Sequence, residues 1–243
     1  MKYVVVTGAD RNIGLEICRE FLKRGWHVFA GRFNLELHLL EELKEEFGDL
    51  LDIVQLDVDS EESVSEAARI VSEKTDVVDM LVNNAARLGG GRPHIQEDIR
   101  KDRLNLEPYI TDYSINALGA VRLVQGFLPL MQKGMKRLAF VSSEAGAVSV
   151  AHRTEISSYC MSKTALNMTL RLMFNQLQPM GFSFRLYHPG WVRSTPDGRP
   201  RADHMGKFEP WETAQSAVPQ FIEDRKWEDR MVLIDNEGAA WPF

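Results

Sequence analysis

The chain has 243 residues, 44% of them hydrophobic and 26% charged, and a net charge of −6. That length suits one large α/β domain with a full core. The acidic balance argues against nucleic acid and membrane surfaces as partners, because both need an excess of Lys and Arg.

The N-terminal run MKYVVVTGAD meets glycine at once and reads as a first strand rather than a signal peptide. No apolar run approaches the length of a membrane span. Cys18 and Cys160 lie far apart in helix-like segments. The expectation is a cytoplasmic protein in a reducing compartment, with no disulfide framework and no metal cluster. Strand patterns follow at 2–6, 27–30, 51–56, 80–82, 136–141, 183–187 and 231–234, and helical patterns at 13–24, 35–47, 61–74, 111–132, 158–177 and 211–223. The strands are apolar on both faces, as when helices cover both sides of a parallel sheet. Strict β/α alternation predicts a single domain, 1–243, built on a Rossmann-type doubly wound parallel sheet of about seven strands. Two long segments interrupt the rhythm. Residues 87–108 carry Gly89, Gly90 and Gly91, and residues 193–209 carry two internal prolines, two glycines and many charges. Both follow strands placed at the carboxyl edge of the sheet, where ligands bind in this architecture.

The first strand runs into TGADRNIG, Thr7 to Gly14. Gly8 permits a tight turn beside a pyrophosphate, and Gly14 lets the next helix pack closely on the sheet. The helix start, at Ile13, offers free amides and partial positive charge to phosphate. Asn12 stands where such a loop usually has glycine, and Asn tolerates positive φ better than most residues. An acid at the end of the second strand would hold a free 2′-hydroxyl. Here Gly31 occupies that point, Arg32 follows, and Arg11 is a second cation within reach. Two guanidiniums and no acid favour NADP(H) over NADH.

Further motifs follow in order: Asn83-Asn84-Ala85, Asn116 in YSINALGAV, Ser142-Ser143 in FVSSEAG, Tyr159 and Lys163 in SSYCMSK, and HPGWVRST. Tyr159 and Lys163 are four residues apart, so they share a helical face. The ordered set resembles the short-chain dehydrogenase/reductase family from end to end. The 16-residue step from Ser143 to Tyr159 and the ending LIDNEGAAWPF resemble its C-factor-like, carbonyl-reductase-like branch. Asn12, and Ala86 where the family often has glycine, depart from the pattern without removing a reacting group.

A Tyr with its ordinary pKa of ~10 keeps its proton at neutral pH and can donate it to a developing alkoxide. A nearby Lys⁺ lowers that pKa. Tyr159 and Lys163 fit these roles, with Ser143 polarising the substrate oxygen. The resemblance implies that Lys163 also binds the nicotinamide ribose, with Tyr159 beside it, and that Asn116 holds a water next to the lysine. It selects Ser143 over Ser142. It implies adenine contacts at Asp57 and Val58, cofactor contacts at Asn84 and Ala85, and a nicotinamide-side loop at Pro189, Gly190 and Val192. The family's following Thr corresponds to Ser194, with Thr195 next, so either hydroxyl suits the cofactor.

His188 has no evident acid partner and is expected to be structural. Arg193, Arg199, Arg201, His204 and Lys207, set against Asp197, Asp203 and Glu209 and joined by His152 and Arg153, predict either a basic roof for an anionic substrate or a solvated lid. The apolar faces of helices 111–132 and 158–177, with the resemblance, imply a homodimer or homotetramer. The expected activity is NADP(H)-dependent reduction or oxidation of a small-molecule carbonyl/alcohol pair. A pteridine-reductase-like enzyme and a non-catalytic nucleotide sensor are the alternatives, the second opposed by the complete Asn116, Ser143, Tyr159 and Lys163 set.

Overall fold

The structure, a computed structural model, describes residues 1–89, 105–201, 203–225 and 228–243. Most of the 87–108 connection, with Gly90 and Gly91, lies outside them. Seven strands pair in parallel: β1 (Tyr3–Val6), β2 (His27–Arg32), β3 (Leu51–Gln55), β4 (Met80–Asn83), β5 (Arg137–Val141), β6 (Ser183–His188) and β7 (Leu233–Asp235). The sheet order is β3-β2-β1-β4-β5-β6-β7, with a short strand β8 (Ala240–Trp241) beyond β7, so its direction of winding reverses between β1 and β4. That reversal opens a crevice at the carboxyl ends of the two strands.

The eighth strand, β8 (Ala240–Trp241), was not expected from the pattern. It is two residues long and antiparallel to β7, too short to show a period. The hairpin is fixed by Asp235, whose carboxylate accepts from the Glu237 and Ala239 amides and from Trp241 Nε1 at 2.6 Å.

Helices cover both faces, which explains the unbroken apolar strands. On one side α1 (Asn12–Lys23), α2 (Leu39–Phe47) and α7 (Pro210–Ile222) enclose a core including Val4, Val6, Phe21, Val28, Leu40, Val82 and Phe221. On the other, α3 (Glu61–Lys74), α5 (Gly119–Met131) and α6 (Ser157–Leu177) cover Val5, Phe29, Leu81, Phe127, Phe140, Leu170 and Phe184. Ser60 Oγ caps α3 by accepting from the Ser63 amide at 3.1 Å. The expected helix 111–132 begins earlier, as α4 (Glu107–Tyr113), and passes through a π turn at Ser114–Leu118 into α5. The continuous helix Glu107–Met131 is long and apolar enough by composition to cross a membrane. This departs from the expectation that no segment approaches a membrane span. Ala117, Ala120, Leu123, Val124, Phe127 and Met131 account for much of that apolarity, and all are buried in this fold.

Arg137 and Arg185 are buried at the opposite edge of the sheet from the crevice. Arg137 donates to Ser183 Oγ at 3.1 Å, to the Phe221 and Ile222 carbonyls that end α7, and to Asp224 at 2.6 Å. Arg185 meets Glu228 and the Glu223 carbonyl. These guanidiniums tie the end of α7 to β5 and β6, complementing the helix C-terminus.

Candidate active site

The turn after β1 is built around close backbone approach. Gly8 has φ +59°, and a Cβ there would lie 2.9 Å from Ala85 Cα. A Cβ on Gly14 would sit 2.0 Å from the Gly8 carbonyl oxygen. Only glycine fits either place without moving backbone. Thr7 Oγ1 accepts from the Asn84 and Ala85 amides at 3.1 and 3.0 Å, while Asn84 Nδ2 donates to the Thr7 and Gly8 carbonyls at 3.0 and 3.1 Å. Asn84 and Ala85 therefore lock the end of β4 to the opening turn. Asn12 begins α1 and Ile13 follows in its first turn, which holds no acid.

Asn12 adopts the left-handed conformation, φ +50°. Its Nδ2 donates to the Thr195 carbonyl at 2.9 Å, and its Oδ1 accepts from the Thr195 amide at 3.1 Å. Arg11 Nη1 donates to the Pro196 carbonyl at 2.8 Å. The long loop after β6 is thus clasped to the opening turn. Pairing of Val192 with Phe208, and hydrogen bonds from the Lys207 and Phe208 amides to the Trp191 carbonyl, close its base. Thr195 is buried and Ser194 exposed, so Thr195 is the one held at the crevice. Pro189 accepts from Asn236 Nδ2 at 2.7 Å, and Gly190, φ +73°, leaves room for the Phe208 ring.

Arg32 Nη1 contacts Glu41 Oε1 at 2.5 Å. Arg32 Nε and Glu41 Oε2 are buried without partners. The acid that was not evident at the end of β2 is Glu41, which α2 brings back to Arg32. Asp57 lies at the end of β3, where its Oδ1 accepts from the Asp59 amide at 2.9 Å and leaves helix capping to Ser60. Val58 packs against Gly119, where a Cβ would come within 3.1 Å of its Cγ2.

Ser143, Tyr159 and Lys163 meet beyond the ends of β5 and β6. Gly146 makes this possible. A Cβ there would lie 2.6 Å from the Lys163 backbone, so the turn after β5 presses directly on α6. Ser142 Oγ donates to Asn167 Oδ1 at 2.7 Å, and Asn167 Nδ2 donates to the Gly146 carbonyl at 3.2 Å. Ser142 is therefore occupied in the core, and Ser143 faces Tyr159. Lys163 Nζ is 5.6 Å from the Tyr159 ring centre and donates to the Val141 carbonyl at 3.0 Å. Burial pulls the Lys163 ammonium down to about 8. Asn116 sits on the π turn, a common feature of functional sites. Its side chain accepts from the Arg87 amide at 2.7 Å and donates to the Arg87 carbonyl and Ser162 Oγ, each at 2.8 Å.

Three expectations change. Tyr159 is not shifted down here. Burial raises it to about 12, opposed by its hydrogen bond with Ser143 and reinforced by the Glu144 charge. His188 does have an acid beside it: Nδ1 is 3.7 Å from Glu144 Oε2. Burial nevertheless holds the imidazole below its ordinary range, against the pull of Glu144 and Asp235. The cations of the 193–209 loop are also paired. Arg193 meets Glu209, Arg199 meets Glu42 at 2.7 Å, Arg201 meets Asp197 at 2.6 Å, and Lys207 meets Glu237 at 3.4 Å. Arg153 is drawn to Glu144. Asp197 and Glu209 within the loop, and Glu42 and Glu237 outside it, pair with the cations of the roof.

Glu144 lies against Ser143 and is absent from the residues the sequence motifs pick out. It accepts from Ser143 Oγ at 2.7 Å and from Arg153 Nε at 3.0 Å. Burial raises its carboxyl, but the hydrogen bonds from Ser143 and Arg153 and the nearby His188 outweigh it and leave it below the ordinary range. Its place directly after Ser143 was the available signal.

Comparison with known proteins identifies the family. The family model described as short chain dehydrogenase matches residues 2–205. An uncharacterized oxidoreductase of Schizosaccharomyces pombe is 33% identical over 198 residues, covering 79% of this chain and 74% of the relative. A short-chain dehydrogenase/reductase from Burkholderia multivorans with bound NADP superposes with TM-score 0.84 at 25% identity, over 100% of this chain and 99% of the other. A carbonyl reductase from Pseudomonas aeruginosa in complex with NADP gives 0.80 at 25% identity, over the whole of both chains. A glycine turn at the sheet's reversal point, a Ser–Tyr–Lys cluster beyond β5, and these matches give one conclusion: the chain belongs to the short-chain dehydrogenase/reductase family of NAD(P)-dependent oxidoreductases.

Proposed function

We propose that the protein is an NADP(H)-dependent carbonyl reductase in which Tyr159 is the general acid. The observation that carries the reading is the convergence of Ser143, Tyr159 and Lys163 beside the crevice between β1 and β4. The residues present suit a dinucleotide. Gly8 and Gly14 allow the tight turn into α1 that a Cβ would block by clashing with backbone, and Arg32 Nε is a buried donor without a partner. The turn 8–14 would hold the pyrophosphate, Arg32 and Arg11 the 2′-phosphate, and Lys163 the nicotinamide ribose. When bound, the cofactor supplies the hydride.

The protein's own groups do the rest. A phenol held near 12 is fully protonated at neutral pH, the form needed to protonate an alkoxide. Lys163, near 8, is mostly charged at pH 7 and stabilises the phenolate left behind. Ser143 donates to the carbonyl oxygen as negative charge grows there. The paired loop cations favour an uncharged substrate over an anion. The proposed assembly is a homodimer through α4 and α6, where Ile110, Tyr113, Met161, Met168 and Leu172 are exposed together. Light scattering at twice the 27.7 kDa chain mass would support it.

The test of the function is NADPH and NADH consumption with a panel of aldehydes, ketones, quinones and pterins. Turnover of carbonyls with NADPH preferred is expected. NADPH binding with no turnover of any acceptor would contradict the reading.

A further inference from the structure

We infer that Glu144 determines substrate specificity by accepting a hydrogen bond from an O–H or N–H carried on the atom next to the reacting carbonyl. The favoured substrate class is then a neutral or cationic α-hydroxy or α-amino carbonyl compound, rather than a bare ketone or an anion. This rests on the reductase reading above and deepens it.

A serine hydroxyl has a single donor and two acceptor sites. Ser143 Oγ accepts from the Ala145 amide at 3.1 Å and donates to Glu144 Oε2 at 2.7 Å. A carbonyl oxygen can only accept. To polarise it, Ser143 must turn its proton away from Glu144, and Oε2 then loses its donor. The surroundings do not replace it. Arg153 is bound to the other oxygen, Oε1. His188 Nδ1 faces Oε2 at 3.7 Å but already accepts from the Glu144 and Gly190 amides, both at 3.4 Å, so it presents a lone pair rather than a proton. A carboxylate oxygen left unpaired in a largely buried position is unfavourable. The Glu144 side chain is only 13% exposed, so bulk water compensates poorly.

A donor on the substrate removes the conflict. Ser143 Oγ and Glu144 Oε2 are neighbours, and so are the two heteroatoms of an α-hydroxy carbonyl. The carbonyl oxygen takes the Ser143 proton while the adjacent O–H or N–H takes its place on Oε2. A substrate carboxylate at the same position would meet Glu144 as a like charge.

The test compares 2-hydroxyacetophenone with acetophenone, in the wild-type protein and in the Glu144→Gln and Glu144→Leu variants. NADPH affinity and melting temperature serve as controls for folding. The wild-type kcat/KM is expected to favour the hydroxy ketone at least tenfold. The wild-type complex with NADP⁺ should bind it tighter by a similar factor in calorimetry. Glu144→Leu should bring both ratios close to one, through a larger loss on the hydroxy ketone than on the bare ketone. Glu144→Gln, which keeps an acceptor oxygen, should fall between. Equal kcat/KM and equal affinity in the wild type would overturn the proposal, and that comparison needs no variant. Selectivity that survives in a folded, NADPH-binding Glu144→Leu protein would also overturn it. Ketones reduced without selectivity remove this proposal alone. NADPH binding without reduction of any carbonyl removes the reductase reading, and this proposal with it.

Discussion

Replacing Asn12 by glycine tests whether the opening turn and the loop after β6 form one unit. The side chain makes two hydrogen bonds to the backbone of Thr195, at 2.9 and 3.1 Å, in a partly buried place. At about 0.5–1.5 kcal/mol each, they stabilise the clasp by about 1–3 kcal/mol. Glycine adopts the observed φ of +50° more readily than asparagine, which returns part of that loss. The net effect is a local opening made easier by about 1–2 kcal/mol, or roughly 5- to 30-fold faster exchange. The probe is the Thr195 amide itself, followed by hydrogen exchange with NMR detection. The Thr7 amide, bonded to the Val82 carbonyl at 3.0 Å, is the control. Asn12→Gly should speed Thr195 and leave Thr7 unchanged, whereas Asn12→Ala, which keeps the strained φ without the bonds, should also lower global stability. Unchanged Thr195 exchange in Asn12→Gly would refute the clasp, and equal acceleration at Thr7 would show general loosening instead.

Lys163→Met should stabilise the protein at pH 7 while removing turnover. The folded-state pKa of about 8 lies below the ordinary lysine value, so folding disfavours the charged form. That penalty is fully present below pH 8 and is relieved as pH rises from about 8 towards 10.5. After the lost bond to Val141 is set against it, urea unfolding at pH 7 should show a gain of about 2 kcal/mol. A variant less stable than the wild type would contradict the sign. Arg137→Ala should cost about 2–4 kcal/mol, because the carbonyls ending α7 lose their donor. NADPH affinity measured by fluorescence should not change, since the guanidinium lies at the far edge of the sheet, and an unaltered melting curve would refute the structural role.

The parallel sheet was readable because its central strands β4, β5 and β6 are buried on both faces and each crossover carries a helical period. The glycine turn and the Tyr159–Lys163 pair were readable because their spacing is local. What escaped the sequence was contact across distance. Glu41 reaches Arg32 from α2, Glu42 reaches Arg199, and Asn12 reaches Thr195 across more than 180 positions. No periodicity encodes such meetings. Glu144 was missed for another reason. It is adjacent to Ser143 in the chain, but only the turn ending at Gly146, pressed on α6, aims its carboxylate back at the serine. The tyrosine's rise to about 12 likewise reflects burial and the Glu144 charge, neither visible in a YxxxK spacing.

The most direct test of the account is Tyr159→Phe, with NADPH binding measured by calorimetry and hydride transfer by single-turnover absorbance. The variant loses one phenolic proton and no part of the glycine turn. It should bind NADPH within a factor of about three of the wild type and lose at least a thousandfold in the rate of carbonyl reduction, within the range expected for a positioned acid. Reduction at the wild-type rate by Tyr159→Phe would contradict the assignment of Tyr159 as the proton donor.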